Sequence, residues 1–266
     1  MNRRTLNKVL ASTAALVALQ RSLAEQAMVQ ADAATPTPEA TVAMLLYPEL
    51  TVLDLIGPQL PLAFLPGRST QLVWKTRETI ISDTGVPIQP TMTFDETPEE
   101  VEILFVPGGI MGTVTAMQDP EVLDFVASRG AKATYVTSVC TGSLILGAAG
   151  LLDGYRATSH WAYRDLLPLF GAEPVDERVV IDRKRITGGG VTAGIDFGLT
   201  LLAHLAGDAH AMTTQLIIEY APAPPFQAGM PDQAAQDVVT QASDWLAPFV
   251  EAMRAAAEQA PASVRE

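Results

Sequence analysis

Cys140 is the only cysteine in this 266-residue chain, and it stands where a strand-like run gives way to a helical one. Residues 134–139 alternate Tyr and Val with Thr and Ser, which is typical of a β-strand. Residues 141–152 are rich in Leu, Ile, Ala and Gly without a strand period, which predicts a buried helix. A side chain at such a corner projects at the carboxyl edge of a sheet, where open α/β sheets bind ligands. We therefore predict that Cys140 is a nucleophile rather than a packing residue.

The helix that follows Cys140 is expected to change the chemistry of its thiol. Unpaired N–H groups and the positive end of the helix dipole favour an anion at a helix N-terminus. The sequence thus predicts that the pKa of the Cys140 thiol is lowered; a fall of about two units would make the thiolate the main species at neutral pH. The same amides could bind an oxyanion formed on a substrate, and Gly142 lets the backbone come close.

Asp54 is the second candidate for chemistry, because it lies between Leu53 and Leu55 in a stretch without another charge. A carboxyl group in such surroundings either caps the following helix or occupies a pocket in which burial raises its pKa. The sequence supports the two interpretations equally. In a pocket, a carboxyl that keeps its proton near neutral pH can act as a general acid.

Two glycine-rich segments are predicted to lie beside the cysteine. Gly108 and Gly109 follow a buried strand, so their backbone could direct N–H groups at a ligand, although ordinary turn chemistry explains such a pair as well. The segment 188–193 matches a dinucleotide-binding pattern in form, but the strand before it is short and charged, which argues against a dinucleotide. We expect Gly189 to bring a loop close to Cys140 instead.

His160 is the histidine best placed for a binding site, since it stands at an element boundary beside Trp161. A lone histidine of this kind is more often structural than functional. His204 and His210 lie in helical stretches and are expected to be structural or solvated. No second His, Cys or acid stands at metal-ligand spacing, so neither a metal nor a cofactor is expected.

The strands and helices that position these residues alternate along the chain. Such alternation predicts an α/β fold with a doubly wound, mostly parallel sheet. We assign residues 42–230 to one such domain and residues 231–266 to a C-terminal helix that packs on it or on a dimer partner. The predicted strands cover 42–47, 71–76, 101–106 and 134–139, the predicted hairpins 79–94 and 178–187, and the predicted helices 54–64, 119–129, 141–152, 162–170, 192–206 and 208–220.

The chain is acidic, with a formal net charge of −13. An acidic surface repels phosphate groups and anionic lipids, so neither nucleic acid nor a membrane surface is an expected partner. Residues 1–41 are interpreted as a leader, in which Arg3 and Arg4 precede an apolar run too short to span a bilayer and Ala24 ends a small-residue cleavage site. The expectation is export to the periplasm or beyond through a twin-arginine-type signal, with a cytoplasmic location as the alternative.

Several separate motifs resemble one known group of proteins. Val-Pro-Gly-Gly at 106–109, Val-Cys-Thr-Gly at 139–142, Ala-Thr-Ser-His-Trp at 157–161 and the glycine-rich run at 186–197 are similar to the ThiJ/PfpI superfamily of flavodoxin-like, glutamine amidotransferase-like cysteine enzymes. Leu-Asp-Leu-Ile-Gly-Pro at 53–58 and Glu-Tyr-Ala-Pro-Ala-Pro-Pro-Phe at 219–226 resemble its isonitrile hydratase branch. The likeness covers about 42–229 and implies a flavodoxin-like fold with Cys140 on a nucleophile elbow.

The resemblance also implies a role for each matching position. Cys140 would be the nucleophile and Asp54 the acid/base. The amides of Thr141 and Gly109 would form a cradle for an oxyanion, and His160 would line the pocket. Branches that act as peptidases carry a histidine directly after the nucleophile, and Thr141 at that position counts against peptidase activity.

An isonitrile carbon is electrophilic but uncharged, so its hydration needs an ionised nucleophile and a nearby proton donor, which Cys140 and Asp54 would supply. We expect a cofactor-independent lyase that hydrates isonitriles to N-substituted formamides through a thioimidate on Cys140. The alternatives are a glyoxalase-like or deglycase-like enzyme acting on 2-oxoaldehydes and a non-catalytic sensor in which Cys140 is oxidised or binds a metabolite. A homodimer is expected, since the superfamily pairs through surfaces beside the active site.

Overall fold

A seven-stranded sheet runs through the part of the chain that the computed structural model describes, residues 40–260. The predicted export signal lies outside these residues. The strands of this sheet and of two small two-stranded sheets are, in chain order, β1 (Ala40–Leu45), β2 (Arg68–Trp74), β3 (Ile80–Ile81), β4 (Pro87–Ile88), β5 (Met92–Thr93), β6 (Ile103–Val106), β7 (Tyr135–Val139), β8 (Arg156–Ala157), β9 (Glu173–Pro174), β10 (Val179–Asp182) and β11 (Arg185–Gly188).

The large sheet has the order β10-β11-β7-β6-β1-β2-β5, and every pair in it is parallel except β10 with β11. Parallel strands require crossover connections, and the chain supplies helices for them. The prediction of a doubly wound, mostly parallel α/β fold is confirmed. The carboxyl ends of β6, β7 and β11 therefore meet at one edge of the sheet.

The helices of the described residues are α1 (Val52–Leu62), α2 (Met111–Met117), α3 (Pro120–Lys132), α4 (Gly142–Ala148), α5 (Ala193–Ala206), α6 (Asp208–Ile217) and α7 (Gln236–Gln259), with a 3₁₀ helix at Arg164–Phe170. The cap predicted for α3 is present, since the Asp119 carboxylate accepts hydrogen bonds from the amides of Glu121 and Val122 and Pro120 opens the helix.

Helices α1 and α5 pack tightly against each other, and this contact fixes one wall of the site. A Cβ added to Gly194 would lie 2.9 Å from Cδ of Pro58, so only glycine permits the approach. Asp54 and Leu55 lie on the buried face of α1, whereas Ile56 lies on its exposed face. The packing thus turns Asp54 towards the interior.

The local structure departs from the sequence prediction in three places. The helix α2 was not predicted, because a segment of only seven residues that contains Gly, Val and two Thr has weak helical preference and is stabilised by burial of residues such as Thr113. The hairpin predicted over 79–94 is shorter, and β5 within it joins the large sheet in parallel beside β2. The helix predicted over 162–170 is a 3₁₀ helix that contains Pro168, which has no N–H to donate.

The C-terminal helix α7 packs against α2 and the 3₁₀ helix and buries Met253, Ala256 and Ala257. Trp245, on the same helix, remains 62% exposed. Within residues 40–260, no helix combines the length and the apolar character needed to cross a membrane.

Candidate active site

Cys140 forms the corner between β7 and α4 in a backbone conformation that non-glycine residues rarely adopt, with φ at 57°. Its N–H donates to the carbonyl oxygens of Gly188 and Gly189, at 3.1 and 2.9 Å. The hydroxyl groups of Ser143 and Ser159 donate to its carbonyl oxygen, at 3.1 and 2.9 Å. The corner is therefore held from three segments of the chain, and Gly189 contributes through its carbonyl rather than through an open N–H.

The Cys140 thiol is almost completely buried, with 6% of the residue exposed. Burial and then the charge of Asp54 raise its pKa well above the ordinary value, while hydrogen bonds from the amides of Val191 and Thr141 act in the opposite direction. The predicted low pKa of the thiol is thus wrong for the protein without a ligand. The amides stabilise a thiolate as the sequence indicated, but α4 has only seven residues and desolvation of the sulfur outweighs its effect.

Asp54 is fully buried, and its Oδ2 accepts a hydrogen bond of 3.1 Å from the amide of Gly108. Thr51 occupies the cap position of α1, and the Asp54 carboxyl turns away from the helix end, so the pocket interpretation is the one that the geometry supports. Burial raises the pKa of Asp54 to about 7; the hydrogen bonds from Cys140 and Gly108 limit this rise, and the charge of Asp83 adds to it. Oδ1 is buried and has no hydrogen-bond partner within residues 40–260.

Gly108 lies between the two candidate catalytic residues. A Cβ at this position would lie 2.6 Å from Oδ2 of Asp54, 2.7 Å from the nitrogen of Thr141 and 2.8 Å from Cβ of Cys140. Real Cβ atoms do not approach other atoms so closely, so only glycine lets the backbone pass between the carboxyl and the thiol. Gly108 was predicted to place an N–H at a ligand, and its N–H instead binds Asp54.

Gly109 does not contribute an open amide to an oxyanion cradle, contrary to the prediction. Its N–H donates to the hydroxyl of Thr141 at 3.0 Å. The Thr141 hydroxyl is also 2.9 Å from the carbonyl oxygen of Gly109, so one side chain satisfies both polar groups of this residue. The amide of Thr141, by contrast, faces the sulfur of Cys140, as does the amide of Val191.

Two residues at the site, Val191 and Tyr163, were not predicted from the sequence. Val191 has φ at 24° and contributes only its backbone N–H, so its side-chain type carries no signal beyond the glycines that precede it. The hydroxyl of Tyr163 is buried without a hydrogen-bond partner among the described residues, and burial together with the charge of Cys140 raises its pKa to about 12. A single tyrosine in the turn before a short 3₁₀ helix gives no sequence signal for such a position.

His160 and Gly189 line a cavity of about 190 Å³, whose lining includes Val191 but neither Cys140 nor Asp54. The His160 ring packs so closely on Gly190 that a Cβ there would lie 2.5 Å from its Cδ2, and its Nδ1 accepts a hydrogen bond from the amide of Ala162 at 3.3 Å. Burial lowers the pKa of His160 to about 4, so the ring is neutral near pH 7. This placement suits a wall residue better than a proton carrier.

Two arginines that line this cavity are paired with carboxylates. Arg164 forms an ion pair with Asp176, and Arg178 forms one with Asp196 at 2.6 Å. Within residues 40–260, no three His, Cys, Asp or Glu side chains lie close enough together to hold a metal ion.

Comparison with known proteins relates this site to one family. The chain is 50% identical over 223 residues to the isonitrile hydratase of Pseudomonas putida, which covers 84% of this chain and 97% of the hydratase. A crystal structure of a ThiJ/PfpI family protein from Pseudomonas syringae matches with a TM-score of 0.81 and 49% identity, over 84% of this chain and 93% of that one. Deglycase PfpI of Pyrococcus furiosus is 31% identical over 99 residues, which covers 37% of this chain and 59% of the deglycase.

The sequence profile of the DJ-1/PfpI family matches residues 40–204, a range that contains β1 to β11, Asp54 and Cys140. The chain therefore belongs to the DJ-1/PfpI family.

Proposed function

We propose that this protein hydrates isonitriles to N-substituted formamides, with Cys140 as the nucleophile and Asp54 as the group that carries protons. The observation that carries the proposal is the buried Asp54 carboxyl beside the Cys140 thiol, together with the two amides, of Thr141 and Val191, that face the sulfur. Identity of 50% to an isonitrile hydratase over nearly the whole of that enzyme supports the substrate class.

The protons of the pair explain how a thiol of raised pKa can react. At neutral pH the thiol keeps its proton, whereas the Asp54 carboxyl is close to half ionised, since its pKa is about 7. When Asp54 is ionised, the pair holds a single proton, which lies on the Cys140 thiol. The carboxylate can take this proton, which leaves a thiolate next to a carboxylic acid. Since the two groups titrate as one system, their apparent pKa values belong to the pair. The amides of Val191 and Thr141 stabilise the thiolate when it forms.

In the first step, the sulfur forms a bond to the terminal carbon of the isonitrile, and the proton of Asp54 moves to the same carbon. The product is a thioimidate, R–N=CH–S–Cys140, and Asp54 is left as a carboxylate. Burial of the site is unfavourable for a free thiolate. It does not oppose binding of the isonitrile, because an uncharged substrate loses little solvation free energy when it enters a buried site.

In the second step, a water molecule adds its oxygen to the thioimidate carbon while Asp54 accepts one of its protons and passes it to the nitrogen. The C–S bond then breaks, the hydroxyl proton returns through Asp54 to the pair, and R–NH–CHO leaves. Atoms balance as one isonitrile plus one water giving one formamide, and no redox cofactor is required. The cavity beside Val191 and His160 would hold the substituent R.

The deciding experiment is to incubate the purified protein with an aliphatic or aromatic isonitrile and, separately, with methylglyoxal. Formamide detected by mass spectrometry with wild-type protein and lost with Cys140→Ala would support the proposal. Lactate from methylglyoxal without formamide would assign the protein to the 2-oxoaldehyde enzymes instead. Neither product from a folded protein would favour a sensor.

We also propose that two copies of the chain pair through the exposed face of α1 and the neighbouring α6. Leu53, Ile56 and Leu60 on α1 are 39%, 43% and 45% exposed, and Leu216 on α6 is 81% exposed. Apolar side chains grouped in this way are usually covered by a partner surface. Light scattering should give the mass of a dimer, and Leu216→Glu should lower it; a monomeric wild type at micromolar concentration would contradict the proposal.

A further inference from the structure

We infer that a buried chain of three hydroxyl groups, from Tyr47, Thr113 and Thr141, positions the catalytic pair by holding the loop 107–109 in place. The inference rests on the proposed roles of Asp54 and Cys140. None of the three hydroxyl groups needs to touch the substrate, so they are positioning residues.

The three side chains come from different parts of the fold and are almost fully buried, with 1%, 0% and 1% exposure. Tyr47 follows β1, Thr113 lies in α2, and Thr141 is the residue before α4. The Tyr47 hydroxyl donates to the carbonyl oxygen of Pro107 at 2.8 Å and lies 3.2 Å from Oγ1 of Thr113. Oγ1 of Thr113 lies 2.8 Å from Oγ1 of Thr141.

The three hydroxyl groups make four contacts but have three protons between them, so one contact lacks a proton in any arrangement. Each hydroxyl has a single proton to donate. If Thr141 donates to Thr113 and Thr113 donates to Tyr47, all three hydroxyl groups are hydrogen-bonded to one another. If Thr141 donates to the carbonyl of Gly109 and Thr113 donates to Thr141, the 3.2 Å contact between Tyr47 and Thr113 has no proton, because Tyr47 donates to Pro107. In both arrangements Tyr47 binds the loop at Pro107, and Thr141, which is hydrogen-bonded to Thr113, binds it at Gly109 by accepting the Gly109 N–H.

Gly108 lies between these two attachment points, and its N–H is the hydrogen-bond donor to Oδ2 of Asp54. Movement of the loop in one direction would break this bond, and movement in the other would drive Gly108 into Cys140, since a Cβ there would already be 2.8 Å from Cβ of Cys140. The loop position therefore controls both the distance and the proton affinity of the pair. The other ionisable groups that interact with Asp54 among the described residues are Cys140, Asp83 and Tyr47, and Tyr163 faces Cys140.

The test compares Thr113→Val with Thr137→Val. Both changes remove a buried hydroxyl and keep a β-branched side chain, but the Thr137 hydroxyl donates to the carbonyl of Leu104 at 3.0 Å, outside the loop. Thr113→Ser restores the hydroxyl. Tyr47→Phe removes the attachment at Pro107 independently, which keeps the test available if Thr113→Val does not fold.

Two readouts are measured for each variant across pH 5–10: the hydration kinetics and the rate at which iodoacetamide alkylates the single cysteine. We expect Thr113→Val and Tyr47→Phe to lower kcat about 10- to 100-fold with little change in KM, because misplacement of reacting groups affects the chemical step. The apparent pKa of the pair should rise by about one unit, as a carboxylate loses a fixed N–H donor. Thr113→Ser should behave as wild type, and Thr137→Val should lose thermal stability without a change in either profile.

The inference is overturned if Thr113→Val and Thr137→Val have identical pH profiles in both readouts and Tyr47→Phe has the same profiles as wild type. Failure of the proposed function gives a different result. In that case the wild type forms no formamide, while the alkylation profiles of the Thr113 and Thr137 variants still differ.

Discussion

Asp54→Asn tests the buried carboxyl most directly, because Asn keeps the shape of Asp and cannot ionise. Burial raises the pKa of Asp54 from 3.8 to about 7 in the folded protein, whereas the unfolded chain has a carboxyl of ordinary pKa. Below pH about 4 the group is protonated in both states. Between pH about 4 and 7 the unfolded state has lost the proton and the native state keeps it, so wild-type stability falls as pH rises. Above pH about 7 the native carboxyl ionises too, and the loss becomes constant.

The size of this effect follows from the shift. A difference of about three units corresponds to about 4 kcal/mol at 1.36 kcal/mol per unit, most of which accumulates between pH about 4 and 7. Relative to wild type, Asp54→Asn should therefore gain about 2 kcal/mol of unfolding free energy between pH 5 and pH 7. The Asn amide adds a buried group without a partner, which costs about 1–3 kcal/mol at every pH and leaves this difference unchanged.

Urea unfolding at pH 5, 6, 7 and 8 measures the gain. Asp124→Asn is the matched control, since it neutralises an exposed carboxylate on α3 and reports the effect of net charge alone. In the same preparations, hydration by Asp54→Asn should be slower by about 10²–10⁴-fold, the usual contribution of a general acid. If the stabilities of Asp54→Asn and wild type change by the same amount across this pH range, Asp54 is not a buried carboxyl of raised pKa. The proposed sharing of a proton between Asp54 and Cys140 is then wrong.

Three further outcomes are expected from the same geometry. Wild-type kcat/KM should rise with pH with a midpoint near the Asp54 pKa of about 7, and a profile flat from pH 6 to 8 would contradict the shared-proton pair. Gly108→Ala should abolish turnover and lower stability by about 1–3 kcal/mol through overpacking against Asp54 and Cys140, whereas Gly229→Ala, with open space around it, should match wild type in stability. Burial lowers the pKa of His160 to about 4. As pH drops from about 6.5 to 4, the unfolded chain binds a proton at His160 and the native protein does not, so wild-type stability should fall. In urea titrations, His160→Asn should lose less stability over that range.

The fold and the position of Cys140 were accessible from the sequence because they follow from local patterns. A continuous apolar run predicts a strand buried on both faces, and residues 42–47 are indeed buried throughout. The change from a β-branched run to a helical one located the corner at Cys140, and Asp119-Pro120 located the start of α3. Each of these signals involves neighbours within a few positions along the chain.

The protonation chemistry of the site depended on the tertiary structure. The helix start beside Cys140 predicted a low thiol pKa, but the free energy of burying the sulfur next to Asp54, 86 positions earlier in the sequence, is larger and acts in the opposite direction. Likewise, the choice between cap and pocket for Asp54 was settled by the amide of Gly108, 54 positions away.

The sequence by itself thus determined the fold class, the family resemblance and the residue types available for chemistry. Only the tertiary structure decided that the Gly109 amide belongs to Thr141, that the Val191 amide faces the thiol, and that Tyr47 and Thr113 connect to the loop 107–109. The physical reason is that desolvation and hydrogen-bond pairing depend on which groups share a buried volume. Residues far apart in the chain supply those groups, and a backbone amide contributes in the same way whatever side chain it carries.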